Sequence, residues 1–345
     1  MKNITKNPWF LFAAAFVAVV VITIVNNYRS PIFRQLNGPL SGTGELASFS
    51  DKLAVISRDN EIYVWKWNDL SAWPQVGSVA AQKAAAMDGD SLIWVPKEDS
   101  STLVISNLKG DRIVQKLSLE RIKKWKYLET SSNGKYAAIA FEPYDDVDGG
   151  VKLAVVSPDL TGISEILTEN SEGKSKLDGI GISNDGAVIA AVGRKEAGWI
   201  LAADTRSKKV LWEQTVNSST ELNAVIFSPD GRYIYASEPG RVVYMFEAVS
   251  GKAVKQFVMD KYEYEASPNN PQTILLLAAS PDGRLFSATT EPAQMAYVWD
   301  VETGRKIAQH GGQNTISGLS FSPDSSMLVT GIMVRSNIYI WKIKN

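Results

Sequence analysis

The stretch AVIFSPDGRYIYAS at residues 224–237 reads as a β-strand, a tight reversal and a second β-strand. Pro229 presets one turn position, the Asp230 carboxylate can bond its own backbone, and Gly231 tolerates positive φ. The reversal therefore has a physical cause in four consecutive residues. The same reading applies to LLAASPDGRLFSAT at 276–289, with Asp282 and Gly283 in the turn, and to GLSFSPDSSMLVTG at 318–331.

Weaker copies occur at TSSNGKYAAIAF (130–141) and GISNDGAVIAAV (181–192), and degenerate ones at AMDGDSLIWV (86–95) and ASFSDKLAVIS (47–57). The repeat thus occurs seven times. From Gly89 through Gly134, Gly186, Gly231 and Gly283 to Ser325 the steps are 45, 52, 45, 52 and 42 residues. That spacing is near the roughly 40–45 residues of a four-stranded propeller blade, whereas a solenoid needs shorter units. The expected fold is all-β, a seven-bladed β-propeller of four-stranded antiparallel blades.

Each of the first six units continues with a third strand and another turn, at WKWNDL, VISNLKGD, VVSPDLTG, AADTRSKK, FEAVSGKA and WDVETGRK. SRDNEIYVW (57–65) places Asp59 in a turn and Trp65 on the strand after it. YVWDVETG (297–304) supplies the pair Trp299 and Asp300 with Gly304 beyond, and Trp341 ends the last copy. In these residues the chain resembles the WD-repeat family over about 32–344. The family's Gly-His dipeptide is missing from most units; His310 lies near its position in one. The resemblance implies a rigid ring that docks other proteins.

Composition narrows the chemistry. With 36 basic and 37 acidic residues the chain has no excess charge to drive nucleic-acid binding. It has no cysteine, so disulfides and thiolate chemistry are excluded, and His310 is its single histidine, so sites needing two histidines are excluded too. No G-x-S-x-G, G-x-x-x-x-G-K-[ST] or H-E-x-x-H motif occurs. The expectation is a protein that is not an enzyme, with no cofactor and no small-molecule ligand.

The uncharged run PWFLFAAAFVAVVVITIV at 8–25 would extend about 27 Å as a helix, close to a hydrocarbon core. Trp9 and Tyr28 flank it where amphipathic rings suit the headgroup region. A cleaved secretory signal is the competing reading, but NNYRSP after Val25 offers no small-x-small cleavage site. The expected organisation is a basic tail at 1–7, a single transmembrane helix at 8–25 acting as a signal-anchor, a linker at 26–31 and the propeller at 32–345. Lys2 and Lys6 against Arg29 and Arg34 lean towards an inside N-terminus, with the propeller on the periplasmic or extracellular side.

The last repeat stops after its third strand, and PIFRQLNG (31–38) can supply the missing fourth. In the propeller arrangement that strand begins on the face bearing the S-P-D-G turns. A short linker then keeps this face or its rim near the bilayer, and the opposite face points away.

Long connections fall on that distal face: LERIKKWKY (119–127), EPYDDVDGG (142–150) and MDKYEYEASPNNPQ (259–272). Candidate partner contacts are Arg121, Lys123, Lys124, Trp125, Tyr144, Tyr262, Glu263, Tyr264 and Glu265, which combine both charge signs with aromatic groups. Trp125, like Trp73, has a second reading as blade packing. Asp145, Asp146 and Asp148 offer hard oxygen ligands that could suit calcium, or simply a solvated acidic turn. Three functions compete: a docking subunit of a membrane complex, a quinoprotein-like propeller enzyme with a ligand in the channel, and a lipid- or envelope-polymer-binding protein.

Overall fold

The structure, a computed structural model, describes residues 32–343 apart from 39–42, 50, 89, 120–121, 145–149, 157–162, 170–175, 217–220, 240–241, 260–272, 292–293, 312–314 and 334–336. The described strands form seven four-stranded antiparallel sheets. In chain order, blades 1 to 6 span 43–78, 81–118, 122–169, 176–215, 224–258 and 273–311. Blade 7 takes its inner three strands from 316–342 and its outer strand from Ile32–Asn37. Each blade runs inner, second, third, outer, so the chain reverses alternately at two faces. The turn face carries the inner-to-second turns and the third-to-outer loops; the loop face carries the other connections.

Strand composition follows position. In blade 4 the third strand, GWILAAD (Gly198–Asp204), is buried along nearly its whole length, because both its surfaces meet neighbouring blades. The outer strand KVLWEQT (Lys209–Thr215) keeps only Trp212 and Gln214 partly covered. Apolar runs belong inside a stack of sheets and mixed sequences at its rim.

Among the described residues the core divides into seven apolar clusters, each joining two adjacent blades. The cluster that closes the circle unites Leu46, Leu53 and Trp65 of blade 1 with Val329, Ile338 and Ile340 of blade 7. Leu36, from the strand nearest the N-terminus, is buried in it. That strand pairs antiparallel with the third strand of blade 7 through Ile32↔Trp341, Arg34↔Ile340, Gln35↔Tyr339, Leu36↔Ile338 and Asn37↔Asn337. Residues from both ends of the described chain thus share one sheet, and a ring closed this way leaves no open inner edge.

The repeated turns are held by a serine as well as by Asp and Gly. In blade 5 Ser228 Oγ donates to Asp230 Oδ1 (2.6 Å) and accepts from Tyr233 N (2.9 Å), while Asp230 Oδ1 accepts from Arg232 N (3.1 Å). Ser183, Ser280 and Ser322 repeat this with Asp185, Asp282 and Asp324, and Ser131 does so with Asn133. Gly231 and Gly283 take φ of 71° and 73°, and Ser325 occupies the same place at 61°. In blade 2 the left-handed residue is Asp90.

Turns also bond to one another around the ring. Asn184 Oδ1 accepts from Asn133 N (2.9 Å), and Asn184 Nδ2 donates to the Pro229 carbonyl (2.8 Å), linking blades 3, 4 and 5. Asn184 therefore joins its own turn to those on either side, while the serine holds each turn closed. Ser280 is fully buried, and replacing it with Ala leaves Leu285 N, now bonded to Oγ at 2.8 Å, without that acceptor. We expect Ser280→Ala to lower unfolding free energy by about 1–3 kcal/mol in urea titration, with no change of fold by circular dichroism.

Among the described residues no helix is long and apolar enough to cross a membrane. The segments 8–25 and 26–31 lie outside the described residues.

Candidate docking face

Two segments separated in sequence meet at one corner of the loop face. In blade 3 the inner strand begins at Ile122 and the second strand ends at Pro143, and their register sets Lys124 opposite Glu142. Lys123 and Lys124 are exposed, and Tyr144, just past the second strand, is 67% exposed. Lys126 Nζ pairs with Glu142 Oε1 at 2.5 Å. That hydrogen bond, with the nearby charges of Lys126, Lys124 and Lys123, holds the Glu142 carboxyl below its usual range. The corner therefore presents net positive charge beside an exposed phenol ring.

Trp125 departs from the docking role. It is buried, packs against Phe141 with ring centroids 6.2 Å apart, and donates from Nε1 to the Ser100 carbonyl at 2.8 Å. Register shifts at Ile122/Lys124 and at Trp125/Tyr127 are the cause. Each breaks the two-residue alternation, the first bringing Trp125 and the second Leu128 onto the face of Ile122, in the cluster between blades 2 and 3. Trp73 goes the other way: it is 93% exposed and packs in no blade. Arg121, Asp145, Asp146, Asp148, Tyr262, Glu263, Tyr264 and Glu265 lie outside the described residues.

The residues read as repeat landmarks have structural work. Asp59 sits in the tight turn between the second and third strands of blade 1, where Ser57 Oγ accepts from Asp59 N (3.2 Å) and Glu61 N (2.8 Å). Trp65 and Trp299 are buried on third strands. Asp300 Oδ1 accepts from Thr303 N (2.7 Å) and Thr303 Oγ1 (2.6 Å), shaping the loop that Gly304 completes at φ 70°.

The inner strands enclose a central channel of about 760 Å³. Its wall is apolar along Leu46, Ile180, Val225 and Leu319 and polar at Glu129, Ser131 and Asn133. Glu129 is exposed to water in the channel, yet protein surrounds it. That enclosure, eased only by the charge of Lys83, raises its carboxyl to about 7. Nothing in the residue order singles Glu129 out, because position on the channel wall is a property of the closed ring. Among the described residues no three metal-ligating side chains gather at one point.

In blade 7, Trp341 Nε1 donates to Thr330 Oγ1 at 2.9 Å, and the ring of His310, from the outer strand of blade 6, stacks on Trp341 at 5.0 Å. His310 is buried, and neither ring nitrogen has a hydrogen-bond partner among the described residues. Burial lowers its pKa from 6.5 to about 4. The unfolded chain then binds the extra proton more readily than the folded chain between those two values. Stability should be complete above pH 6.5 and fall as pH drops towards 4, by roughly 3 kcal/mol for this group. His310→Phe should remove that part of the slope in urea melts taken at pH 7 and pH 4.5.

Residues 303–342, which contain this contact of His310, Thr330 and Trp341, match the family of the WD domain, G-beta repeat. The last repeat is similar to a WD repeat. Among solved structures the chain is similar to the crystal structure of the Myceliophteria thermophila Cps50 (Swd1) β-propeller domain, with a TM-score of 0.68 and 14% identity. That match covers 91% of this chain and 100% of that one. No curated protein sequence matches the chain. At this identity the likeness shows the fold: a seven-bladed β-propeller.

Proposed function

We propose that the chain is a membrane-tethered docking scaffold. Residues 8–25 hold it in the bilayer, 26–31 link, and the ring of 32–345 stands on the periplasmic or extracellular side. There it presents its loop face to protein subunits of a membrane-associated complex and catalyses nothing itself. The observation that carries this reading is the convergence of Lys123, Lys124 and exposed Tyr144 on one rigid corner of that face. Tyrosine is among the side chains that supply most of the binding energy at protein interfaces, and the lysines beside it favour an acidic partner and set its orientation. The match of 303–342 to the WD repeat adds support, since propellers built of such repeats typically serve as interaction scaffolds.

The test is gentle detergent extraction of the full chain and of a Lys123→Glu, Lys124→Glu, Tyr144→Ala variant. A partner protein should co-purify in fixed ratio with the parent and fall at least about tenfold in the variant, as loss of a hot spot worth some 2 kcal/mol implies. Equal melting temperatures would show that the ring is intact in both. A parent that runs alone and carries an absorbing cofactor contradicts the scaffold reading.

A further inference from the structure

Trp73 has the greatest exposure among the described large apolar side chains, at 93%. It sits in the loop between the third and outer strands of blade 1, and that loop is fastened on three sides. Trp67 Nε1 donates to Ser48 Oγ (3.0 Å) and the Lys52 carbonyl (3.1 Å). Leu70 is buried in the cluster between blades 7 and 1. Asp69 Oδ1 accepts from Ser71 Oγ (2.7 Å) and Ala72 N (3.2 Å). The indole is thus held out in water by a structured loop. One exposed ring is ordinary by itself, and it marks a contact surface where further apolar and interfacial groups lie beside it.

What lies beside the loop says what covers it. Third-to-outer loops belong to the turn face, and the outer strand of blade 7 starts on that face at Ile32. Leu70 of the loop and Leu36 of that strand are buried in one cluster, against which Trp67 also packs, so the loop of Trp73 borders the strand that contains Arg34. Phe33 on the same strand is 45% exposed, with Lys342 Nζ 4.6 Å from its ring centre. Lys66, exposed, ends the strand that leads into the loop. Two open aromatic rings and three cations thus lie along the rim of blades 7 and 1, where the first described strand begins. The uncharged run at 8–25 ends seven residues before Ile32, at most about 25 Å of chain.

We infer that Trp73, Phe33, Arg34, Lys66 and Lys342 form a bilayer-contact patch that seats the rim of blades 7 and 1 on anionic lipid headgroups. Indole rings favour the headgroup region, and each nearby cation adds attraction to an anionic surface. The patch points the opposite, loop face away from the membrane. This inference rests on the tethered reading proposed above and adds the surface that makes the contact.

Because the chain contains no cysteine, Trp73→Cys and Tyr144→Cys each carry one spin label at a known place. The full chain is reconstituted in nanodiscs containing phosphatidylserine, and each label's collision rates with a water-soluble nickel chelate and with oxygen are measured. The label at 73 should be shielded from nickel severalfold relative to the label at 144, and Lys66→Glu with Lys342→Glu should erase much of that shielding. If the chain stays with the disc and both labels collide equally with nickel, the patch is refuted and the tether stands. If the chain leaves the disc, the tether itself is refuted and the patch with it. An Ala72→Cys label, which keeps Trp73, should report the same shielding; equal nickel collision at 72 and 144 refutes the patch as well.

Discussion

A chain lacking residues 31–40 is expected to lose its cooperative unfolding transition. The deletion removes the outer strand of blade 7 with all five of its residue pairs to the third strand. It also removes Leu36 from the cluster between blades 7 and 1, where it packs among Leu53, Val55, Ile338 and Ile340. Emptying a buried leucine site alone costs about 2–5 kcal/mol. Losing five residue pairs and baring the Asn337–Lys342 strand as an open edge adds to that and invites association between chains. Against a total stability of about 5–15 kcal/mol, the sum is enough to open the ring. Urea titration by tryptophan fluorescence and size-exclusion chromatography check it. A deletion variant that melts as late and as sharply as the parent, as a monomer, means the ring is closed by something else.

The second large effect is expected from Trp299→Ala. Trp299 is 2% exposed and lies in the cluster between blades 5 and 6. Its ring is 5.9 Å from those of Phe286 and Tyr297 and 6.2 Å from that of Phe257, which comes from the preceding blade. Truncation removes the largest side chain of that cluster and leaves a hole that stiff sheets cannot fill, so the cost should be about 3–5 kcal/mol. Trp73→Ala, a change of identical chemistry at a 93% exposed site, should cost less than about 0.5 kcal/mol in detergent. Comparing the two by urea titration separates a tryptophan of the blade core from one of the surface. Similar losses would contradict the burial assigned to each.

The blades were legible because their turns carry local chemistry. Pro, Asp and Gly state the reversal within four residues, as at 229–231 and 281–283, and the apolar runs beside them need no long-range information. Blades 1 and 2 were harder to read because their turns depart from that chemistry; in blade 2 the left-handed residue is Asp90. Ser228 and its counterparts escaped notice as turn anchors because a serine bond to a backbone N–H five residues on depends on the turn's finished shape.

At the candidate site less could be read. Tyr144 lies in a connection as expected, but Lys123 and Lys124, expected in a long connection at 119–127, lie on the strand Ile122–Thr130, and their meeting with Tyr144 depends on strand register. Of the two readings of Trp125, partner contact and blade packing, burial selects packing, and the sequence could not choose because two bulges in six residues set which face the indole takes. Trp73 could not be told from a packing tryptophan, since its exposure follows from bonds made by Trp67, Asp69 and Leu70 around it. Glu129 belongs to the channel only once the ring exists.

The claim on which the functional account depends is that the loop face of the ring is the one that meets proteins. Photocrosslinking in native membranes measures this directly, with a photoreactive side chain placed in the full chain at Tyr144 on the loop face or at Arg232 on the turn face. The account predicts a discrete protein adduct of fixed mass from position 144, several times stronger than from position 232. Adducts of equal strength from both faces, or protein adducts from position 232 alone, would contradict it.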